Sequence, residues 1–303
     1  MTKEVYLMKI LNFGSLNIDY VYSVEHFVRA GETLASDRLE LFAGGKGLNQ
    51  SVALARAGAE VYHAGLIGAE GSLLRDMLTR SGADTRFVRT LSDTPCGHAI
   101  IQVSSAGENC ILLHGGANHR VTEEMMDEVL SFFDRGDLLV LQNEINGLST
   151  LIRKAKDRGL TVALNPSPFN QIIAEVDLSL IDWLILNETE GRDMTGEADT
   201  EGILSSLLTR NPDIRIVLTL GGDGALYADR AARIRQAIFP ATVVDTTAAG
   251  DTFTGFFFAS ITSGGSPEDA LRLASAAASV TVSRKGAAPS IPTLDEVTSL
   301  KKL

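Results

Sequence analysis

The sequence has little cysteine, no excess of positive charge and no long hydrophobic run. Its 303 residues contain two cysteines, Cys96 and Cys110. Two thiols in a chain of this length are more typical of free cysteines in a reducing compartment than of a disulfide framework. Lys and Arg number 27 against 38 Asp and Glu, a formal net charge of −11. Because binding to a phosphate backbone needs clustered positive charge, we expect no nucleic-acid partner.

The hydrophobic stretches are short. The most apolar one, residues 253–261, is too short to span a bilayer and is interrupted by Thr, Gly and Ser. The N-terminal segment MTKEVYLMKILNFG has an early acidic residue and lacks the apolar region of a signal peptide. We therefore expect a cytoplasmic protein with no membrane partner.

What the sequence does have is an alternation of short apolar runs with helical stretches. The runs expected to form strands are 10–13, 138–141, 162–164, 183–186 and 216–220. Helical spacing of apolar residues marks 148–158, and Ser266-Pro267 is expected to cap a helix that continues to Ala278. Continuous apolar runs between helices are typical of parallel strands buried on both faces. The sequence therefore predicts an α/β fold with a doubly wound, mostly parallel sheet flanked by helices.

Two regions, about 16–42 and 96–113, have a different pattern. Apolar and polar residues alternate in HAIIQV at 98–103, and turn residues follow in SAG at 105–107. That alternation is typical of half-buried antiparallel strands. We expect these regions to form a small β-sheet lid on one domain that spans residues 1–303.

Each predicted strand is followed by amides, carboxylates or glycines. These segments are GSLNID at 14–19, QNE at 142–144, NPS at 165–167, NETE at 187–190 and GGDG at 221–224. Any single loop is expected to be polar, so one such segment means little. Because ligands bind beyond the carboxyl ends of parallel strands, the five together indicate a site for a polar substrate.

The segment DTTAAGDTFTG at 245–255 is the most informative one. Small residues lead into an apolar helix, so the N–H groups of Ala249, Gly250 and Asp251 are expected to converge on an anion. Gly250 permits close approach of a ligand to the backbone. Asp251 lies beside this point and is a candidate base. The alternative, that Asp251 only complements the helix dipole, is equally compatible with the spacing.

The segment GGKGLNQ at 44–50 precedes another apolar helix. It lacks the glycine–lysine spacing of a P-loop. Its glycines allow the backbone to approach a ligand, and Lys46 and Asn49 offer donors to hydroxyl groups. A tight turn with an exposed lysine explains the local pattern as well. No dinucleotide-binding glycine motif follows the first strand, which disfavours an oxidoreductase.

These segments together resemble the ribokinase-like carbohydrate kinases. The resemblance extends in order along nearly the whole chain through eight motifs: GSLNID at 14–19, GGKGLNQ at 44–50, HGGAN at 114–118, NPSP at 165–168, NETE at 187–190, TLGGDG at 219–224, DTTAAGDTFTG at 245–255 and RKGAAPSIP at 284–292. It implies a kinase that uses ATP and Mg²⁺ to phosphorylate the primary hydroxyl of a small sugar, with D-ribose, giving ribose 5-phosphate, as the first expectation.

The resemblance also implies a role for each matching residue. Asp251 would be the base, and the N–H groups of Ala248, Ala249, Gly250 and Asp251 would stabilise the transferring phosphoryl group. The sugar would be bound by Asn17, Asp19, Gly45, Lys46, Asn49, Glu144 and Asp251. Mg²⁺ and the phosphates would be organised by Asn187 and Glu190. The nucleotide would lie along Thr219, Gly221, Gly222, Asp223, Gly224, Gly250 and Ser275.

A monovalent-cation site and an assembly are implied in the same way. Potassium, as an activator, would be bound by oxygens of Asp245, Thr247, Thr281, Arg284, Gly286 and Ser290. The chain would form a homodimer through its lid, which would also cover the edge strands.

Three positions depart from the family pattern. Leu48 and His98 replace smaller residues and are expected to affect the shape of the sugar pocket, and Ser275 stands near the expected adenine position. The alternatives are therefore a kinase of the same family acting on deoxyribose, another sugar or a nucleoside. A non-catalytic sugar sensor is a more distant alternative, since a sensor is expected to lack Asp251 or the glycine before it.

Overall fold

The computed structural model describes residues 8–300, so residues 1–7 and 301–303 of the predicted single domain lie outside the described residues. Thirteen strands in this part form two sheets. The strands are β1 (Ile10–Phe13), β2 (Asn17–Val24), β3 (Arg38–Gly44), β4 (Val61–Gly68), β5 (Asp84–Leu91), β6 (Gly97–Ser104), β7 (Asn109–His114), β8 (Leu138–Gln142), β9 (Thr161–Asn165), β10 (Trp183–Asn187), β11 (Arg215–Thr219), β12 (Ala225–Ala228) and β13 (Arg233–Gln236).

The larger sheet has the order β13-β12-β11-β10-β9-β8-β1-β4-β5. Neighbours from β11 to β5 pair in parallel, and β12 and β13 are added antiparallel at one edge. The predicted doubly wound, mostly parallel sheet is thereby confirmed. The five predicted strands form its centre, and the four strands that the sequence analysis did not identify extend it at the two edges.

Residues 8–300 contain ten α-helices, of which seven lie between strands and the last three follow β13. They are α1 (Lys46–Arg56), α2 (Ser72–Ser81), α3 (Glu123–Leu130), α4 (Leu148–Asp157), α5 (Gln171–Ala174), α6 (Glu188–Thr195), α7 (Thr200–Arg210), α8 (Ala249–Thr262), α9 (Pro267–Val282) and α10 (Leu294–Thr298). None of the helices in this part of the chain is long and apolar enough to cross a bilayer.

Helix α9 begins as predicted but ends later. The Ser266 hydroxyl accepts a hydrogen bond from the Asp269 N–H at 3.1 Å, with Pro267 in the first helical position. The Asp269 carboxylate does not complete a capping box, because it accepts from the Ser266 hydroxyl at 2.7 Å. The helix continues four residues past Ala278, since no glycine or proline lies between Ala278 and Gly286.

Two hydrophobic cores cover the two faces of the larger sheet. Strand residues alternate between them: Ile10 belongs to the core of α1, α8 and α9, whereas Leu11 belongs to the core of α3, α4 and α7. Helices α1 and α8 approach closely because Gly255 has no side chain. A Cβ there would lie 2.3 Å from the Ala53 Cβ. This packing places the N-terminus of α8 beside the first turn of α1.

The smaller sheet has the order β3-β2-β6-β7. Its existence was predicted, but the prediction of antiparallel strands is wrong for one pair, because β2 and β6 are parallel. Between β2 and β6 the chain forms β3 and then β4 and β5 of the larger sheet. This long connection allows β6 to run in the same direction as β2. All six residues of β7 are exposed. Leu39, Leu41, Ile111, Leu112 and Leu113 present apolar side chains to solvent on this sheet.

Candidate active site

Asp251 lies in the first turn of α8 and is buried. Its carboxylate accepts hydrogen bonds from two amides of α1. Asn49 Nδ2 donates to Oδ2 at 3.1 Å, and Gln50 Nε2 donates to Oδ1 at 3.0 Å. The buried carboxylate therefore has a donor at each oxygen, which is the arrangement that a buried charge requires.

The N-terminus of α8 is open beside Asp251. Ala248 has a left-handed backbone with φ 59°, which turns the chain into the helix. The prediction of three free N–H groups in the first turn is wrong for Ala249, whose N–H donates to the Thr246 carbonyl at 3.3 Å. Within residues 8–300 the N–H groups of Gly250 and Asp251 have no acceptor. These two donors, at the positive end of the helix dipole, form a site for an anion.

A polar cavity of about 250 Å³ lies in front of these donors. Because Lys46, Glu190 and Asp251 contribute to its wall, it combines one cation with two carboxylates. The complete lining is Lys46, Asn165, Ser167, Ile185, Leu186, Asn187, Glu190, Thr219, Thr246, Ala248, Ala249, Gly250, Asp251 and Thr254.

Lys46 belongs to an acid cluster that we define as Asp19, Lys46, Glu144 and Asp251. The Lys46 N–H donates to Glu144 Oε2 at 3.0 Å, and the Ser15 hydroxyl donates to the same oxygen. Burial alone would lower the pKa of Lys46, but the charges of Asp251, Glu144 and Glu190 raise it. Burial raises the pKa of Glu144, against the opposing effect of Lys46. Burial, reinforced by Glu144, also raises the pKa of Asp19 to about 7.

Asn17 and Gly45 lie next to this cluster. Asn17 Oδ1 accepts from Asn118 Nδ2 at 2.7 Å, so the amide of Asn118 fixes the orientation of Asn17. Gly45 has φ 93°, and a Cβ there would lie 3.1 Å from the Asn17 nitrogen. Gly44 is equally constrained, since a Cβ would lie 2.0 Å from Asp19 Oδ2. The two glycines are thus required for the small sheet to bring Asn17 and Asp19 close to α1.

Asn187 and Glu190 form the capping box of α6. The Glu190 N–H donates to Asn187 Oδ1 at 2.9 Å, and the Asn187 N–H donates to Glu190 Oε2 at 3.0 Å. Both residues also line the polar cavity. In the described part of the chain Glu190 Oε1 makes no hydrogen bond, and a carboxylate oxygen of this kind suits a hard cation such as Mg²⁺.

A second, apolar cavity of about 350 Å³ shares Thr219, Thr246, Ala249 and Gly250 with the polar one. Of the predicted nucleotide residues, Thr219, Gly221, Gly222, Gly224, Gly250 and Ser275 line it, but Asp223 does not. Asp223 lies in a short 3₁₀ turn with its side chain exposed. The remaining lining residues are Ile238, Phe239, Ala241, Val243, Thr246, Ala249, Phe253, Ala278, Ser279 and Val282.

The residues predicted for a monovalent cation are only partly joined by side-chain contacts. Asp245 Oδ1 accepts from the N–H and hydroxyl of Thr247, and Oδ2 accepts from the Gly286 N–H at 2.9 Å. These hydrogen bonds contribute to a lowered pKa of Asp245 although burial opposes the shift.

The other three residues of this set make separate contacts. The Thr281 hydroxyl donates to Thr252, the Ser290 hydroxyl donates to the Ala287 carbonyl, and the Arg284 guanidinium pairs with Glu296. Among the residues the structure describes, no three His, Cys, Asp or Glu side chains form a metal-binding group.

Two departures from the family pattern do not face the sugar-binding residues. Leu48 is fully buried in the core of α1, α8 and α9 and lines neither cavity, so an effect of Leu48 on the sugar pocket would have to act through packing. His98 pairs with Ile18 in the small sheet, so its ring lies on the face opposite Asp19. It contacts the rings of Tyr20 and His114 there.

The sequence analysis missed several buried polar residues of this site. Ser15, Gln50, Asn118 and Gln142 each bond a predicted site residue or its immediate partner. Ser15, Gln50 and Asn118 lie within the motifs GSLNID, GGKGLNQ and HGGAN, so those motifs carried a signal. Gln142 ends an otherwise apolar strand, and its polarity was the available indication.

Comparisons with known proteins agree with this geometry. A family model described as pfkB family carbohydrate kinase matches residues 8–294. The chain is 37% identical to the ribokinase of Haemophilus influenzae, over 93% of this chain and 95% of that one. It is 31% identical to the deoxyribokinase of Salmonella typhi, over 95% and 97% of the two chains. The structure of Arabidopsis thaliana ribokinase complexed with ribose and ATP superposes with a TM-score of 0.88, at 32% identity, covering 98% of this chain and 99% of that one.

Proposed function

Because the chain belongs to the pfkB family of carbohydrate kinases, we propose that it transfers the γ-phosphoryl group of ATP to the primary hydroxyl of D-ribose, giving ribose 5-phosphate. One observation carries the proposal. Asp251 lies at the open N-terminus of α8, where the polar and apolar cavities meet. A base, an anion site and two adjoining ligand sites are what phosphoryl transfer to an alcohol requires.

The two substrates approach this point from opposite sides. The nucleotide base occupies the apolar cavity, with the phosphates toward Gly250. The sugar binds at the acid cluster with Asn17, Gly45 and Asn49. The side-chain oxygen Oδ1 of Asn49 is buried and has no hydrogen-bond partner among residues 8–300. A sugar hydroxyl satisfies that oxygen, which is otherwise costly to bury. The smaller sheet, which carries Asn17 and Asp19, acts as a lid over the sugar.

The chemical step follows from this placement. Asp251 accepts the proton of the primary hydroxyl as that oxygen bonds to the γ-phosphorus, and the bond from phosphorus to the β–γ bridging oxygen breaks. The Gly250 and Asp251 N–H groups stabilise the negative charge on the transferring group. Lys46, which also lines the polar cavity, adds positive charge. Closure of the lid excludes water, which is a competing acceptor.

The cations fit the oxygen ligands of the site. Glu190 Oε1, with Asn187 next to it, would hold Mg²⁺, which neutralises the charge of the phosphates. The ionised carboxylate of Asp245, with oxygens of Thr247, Thr281, Arg284, Gly286 and Ser290, is a set of hard ligands that suits potassium. Because Asp245 also bonds the Gly286 N–H, a cation here would stabilise the loop before α8.

Ribose is favoured over the alternatives because Leu48 and His98 do not face the sugar-binding residues. Deoxyribose is the second candidate, since the chain also resembles a deoxyribokinase. A non-catalytic sugar sensor is disfavoured, because Asp251 and Gly250 are both present at the open helix end.

The decisive experiment measures ADP release from Mg·ATP with ribose, deoxyribose, fructose, adenosine or no acceptor. It is run with and without potassium, on wild type and on Asp251→Asn. We expect turnover with ribose that increases with potassium, and a decrease in kcat of about 10²–10⁴-fold in the variant, because the base is removed while binding remains. Turnover with deoxyribose alone would favour the second candidate. Sugar binding without turnover in the wild type would contradict the kinase proposal.

The exposed apolar side chains of the smaller sheet support the homodimer. We propose that two copies associate through these sheets, covering Leu112 and Leu113, which are 67% and 55% exposed. Sedimentation of the wild type and of Leu112→Glu tests this, because a charge at the interface would shift the protein to monomers.

The free thiols of Cys96 and Cys110 suit the cytoplasm, where we place the enzyme.

A further inference from the structure

A chain of buried amides links Asp251 to the centre of the larger sheet. Gln50, which donates to Asp251 Oδ1, accepts at its own Oε1 from Gln142 Nε2 at 2.7 Å. Gln142 Nε2 also donates to Asn12 Oδ1 at 2.9 Å. Gln50, Gln142 and Asn12 are at most 1% exposed, and none of them lines either cavity. Their amides therefore serve neither substrate directly.

The orientation of each amide in this chain is fixed by its neighbour. Asn12 Nδ2 donates to the Gly47 carbonyl and to the Ser51 hydroxyl, both at 2.8 Å. A carbonyl can only accept, so Asn12 must present its oxygen to Gln142. Gln142 then donates in both directions, and Gln50 presents its oxygen to Gln142 and its NH₂ group to Asp251. The buried amides thus ensure that Gln50 acts as a donor to the carboxylate.

The group at the far end of this series of buried amides, His63, does not change its charge in the neutral pH range. Ser51 Oγ is hydrogen-bonded to His63 Nδ1 at 2.8 Å. His63 is fully buried, and burial lowers its pKa to about 3. The imidazole therefore remains neutral at any pH at which the enzyme is expected to work, and the orientation of the amides is preserved.

We propose that Gln50, oriented by Gln142 and Asn12, is the positioning residue of Asp251. Gln50 donates to one carboxylate oxygen of Asp251 and Asn49 donates to the other. Together they fix the plane of the carboxylate, and both oxygens act as hydrogen-bond acceptors. A base held in this way is aligned before the sugar arrives, which saves the reorganisation that would otherwise add to the barrier. The inference rests on the proposed role of Asp251 as the base.

The test compares Gln50→Glu with wild type in kcat, in KM for sugar and ATP, and in the pH dependence of kcat. The variant keeps the shape of the side chain but replaces the donor to Asp251 by a second carboxyl group. We expect kcat at neutral pH to decrease about 10²-fold, since misplaced reacting groups cost about this much. The acidic limb of the pH profile is expected to move up by about one unit or more, because two carboxyl groups in contact share a proton.

The KM values are expected to stay within about threefold of wild type, because Gln50 contacts neither substrate. Asn211→Asp is the matched control. Asn211 is a buried amide of the α7 C-cap that donates to the Leu178 and Ile181 carbonyls, outside both cavities. Asn211→Asp replaces an amide by a carboxyl group, as Gln50→Glu does. It is expected to lower the melting temperature without moving the pH profile of kcat.

Gln142→Met is the second variant, and it keeps the proposal testable should Gln50→Glu not fold. It removes the donor to Gln50 without touching Asp251 or either cavity. A decrease in kcat of about tenfold at unchanged KM is expected. Wild-type kcat in Gln142→Met, or a wild-type kcat and acidic limb in folded Gln50→Glu, would overturn the positioning role. A wild type that releases no ADP with any sugar would instead overturn the proposed function on which the role depends.

Discussion

The two cavities that meet at α8 are built in opposite ways. The polar cavity and the acid cluster beside it include buried carboxylates and amides that are hydrogen-bonded to neighbouring side chains. The apolar cavity is lined mainly by glycines and by aliphatic and aromatic residues, of which Ile238 and Val243 are more than half exposed. Loss of a partner is expensive where polar groups are buried, whereas an apolar wall loses only contact area. Activity should therefore be sensitive to the change of a single atom around the acid cluster, and more tolerant of substitutions around the apolar cavity.

Gly250 belongs to both cavities and should give the largest effect. Among residues 8–300, no atom outside the adjacent residues and the backbone of the same helix lies within 4 Å of a Cβ built there, so Gly250→Ala is expected to fold as well as wild type. Its methyl group would enter the space in which we propose that the phosphoryl group is transferred. We expect kcat to decrease about 10²-fold at unchanged melting temperature.

The matched control for Gly250→Ala is Gly255→Ala in the same helix, whose Cβ would lie 2.3 Å from the Ala53 Cβ. It should lower the free energy of unfolding by about 1–3 kcal/mol, since α8 must move away from α1. Equal melting temperatures of the two variants, or an active Gly250→Ala, would contradict the assignment of the phosphoryl site.

The pH dependence of stability and of sugar binding tests the role of Asp19 in the acid cluster. Its pKa is raised from 3.8 to about 7, so between these values the folded protein retains a proton that the unfolded chain has lost. Stability therefore decreases as the pH rises through this window. Sugar binding should improve as Asp19 ionises, because a carboxylate accepts hydroxyl hydrogen bonds more strongly.

The expected result is a KM for sugar that decreases from pH 6 to 8 in wild type. In Asp19→Asn the KM should be about tenfold higher and independent of pH in this range, with less change in kcat. Initial rates at several pH values measure both effects, and thermal unfolding over the same range measures the change in stability. A variant that retains the wild-type pH dependence of KM would assign the titration to another group.

Val243 tests the apolar side and should give the smallest effect. It lines the apolar cavity and is 65% exposed, and the nucleotide base is expected to cover it. Val243→Ser should raise the KM for ATP by about fivefold and leave the KM for sugar unchanged, because about 1 kcal/mol of apolar contact is lost. Val28→Ser, an exposed valine outside both cavities, is the control. A larger effect on sugar than on ATP would contradict the placement of the two substrates.

The sequence alone determined the fold class and most of the residues around the site. Uninterrupted apolar runs such as Leu138 to Leu141 can be buried only between two layers of helices, which requires a parallel sheet. The segment before α8 combines small residues with Asp251 and predicted an anion site. Both inferences depend on neighbours in sequence, and neighbours in sequence are close in space whatever the fold.

The tertiary structure alone decided how distant residues act on one another. Asp251 is held by Gln50, which is 201 positions away, and Gln50 by Gln142, which is 92 away. Leu48, expected to affect the shape of the sugar pocket, lies in the core of α1, α8 and α9. Side-chain direction and burial arise from the packing of whole elements, so no local pattern contains them. The pKa of Asp19 has the same origin, since burial and Glu144 raise it together.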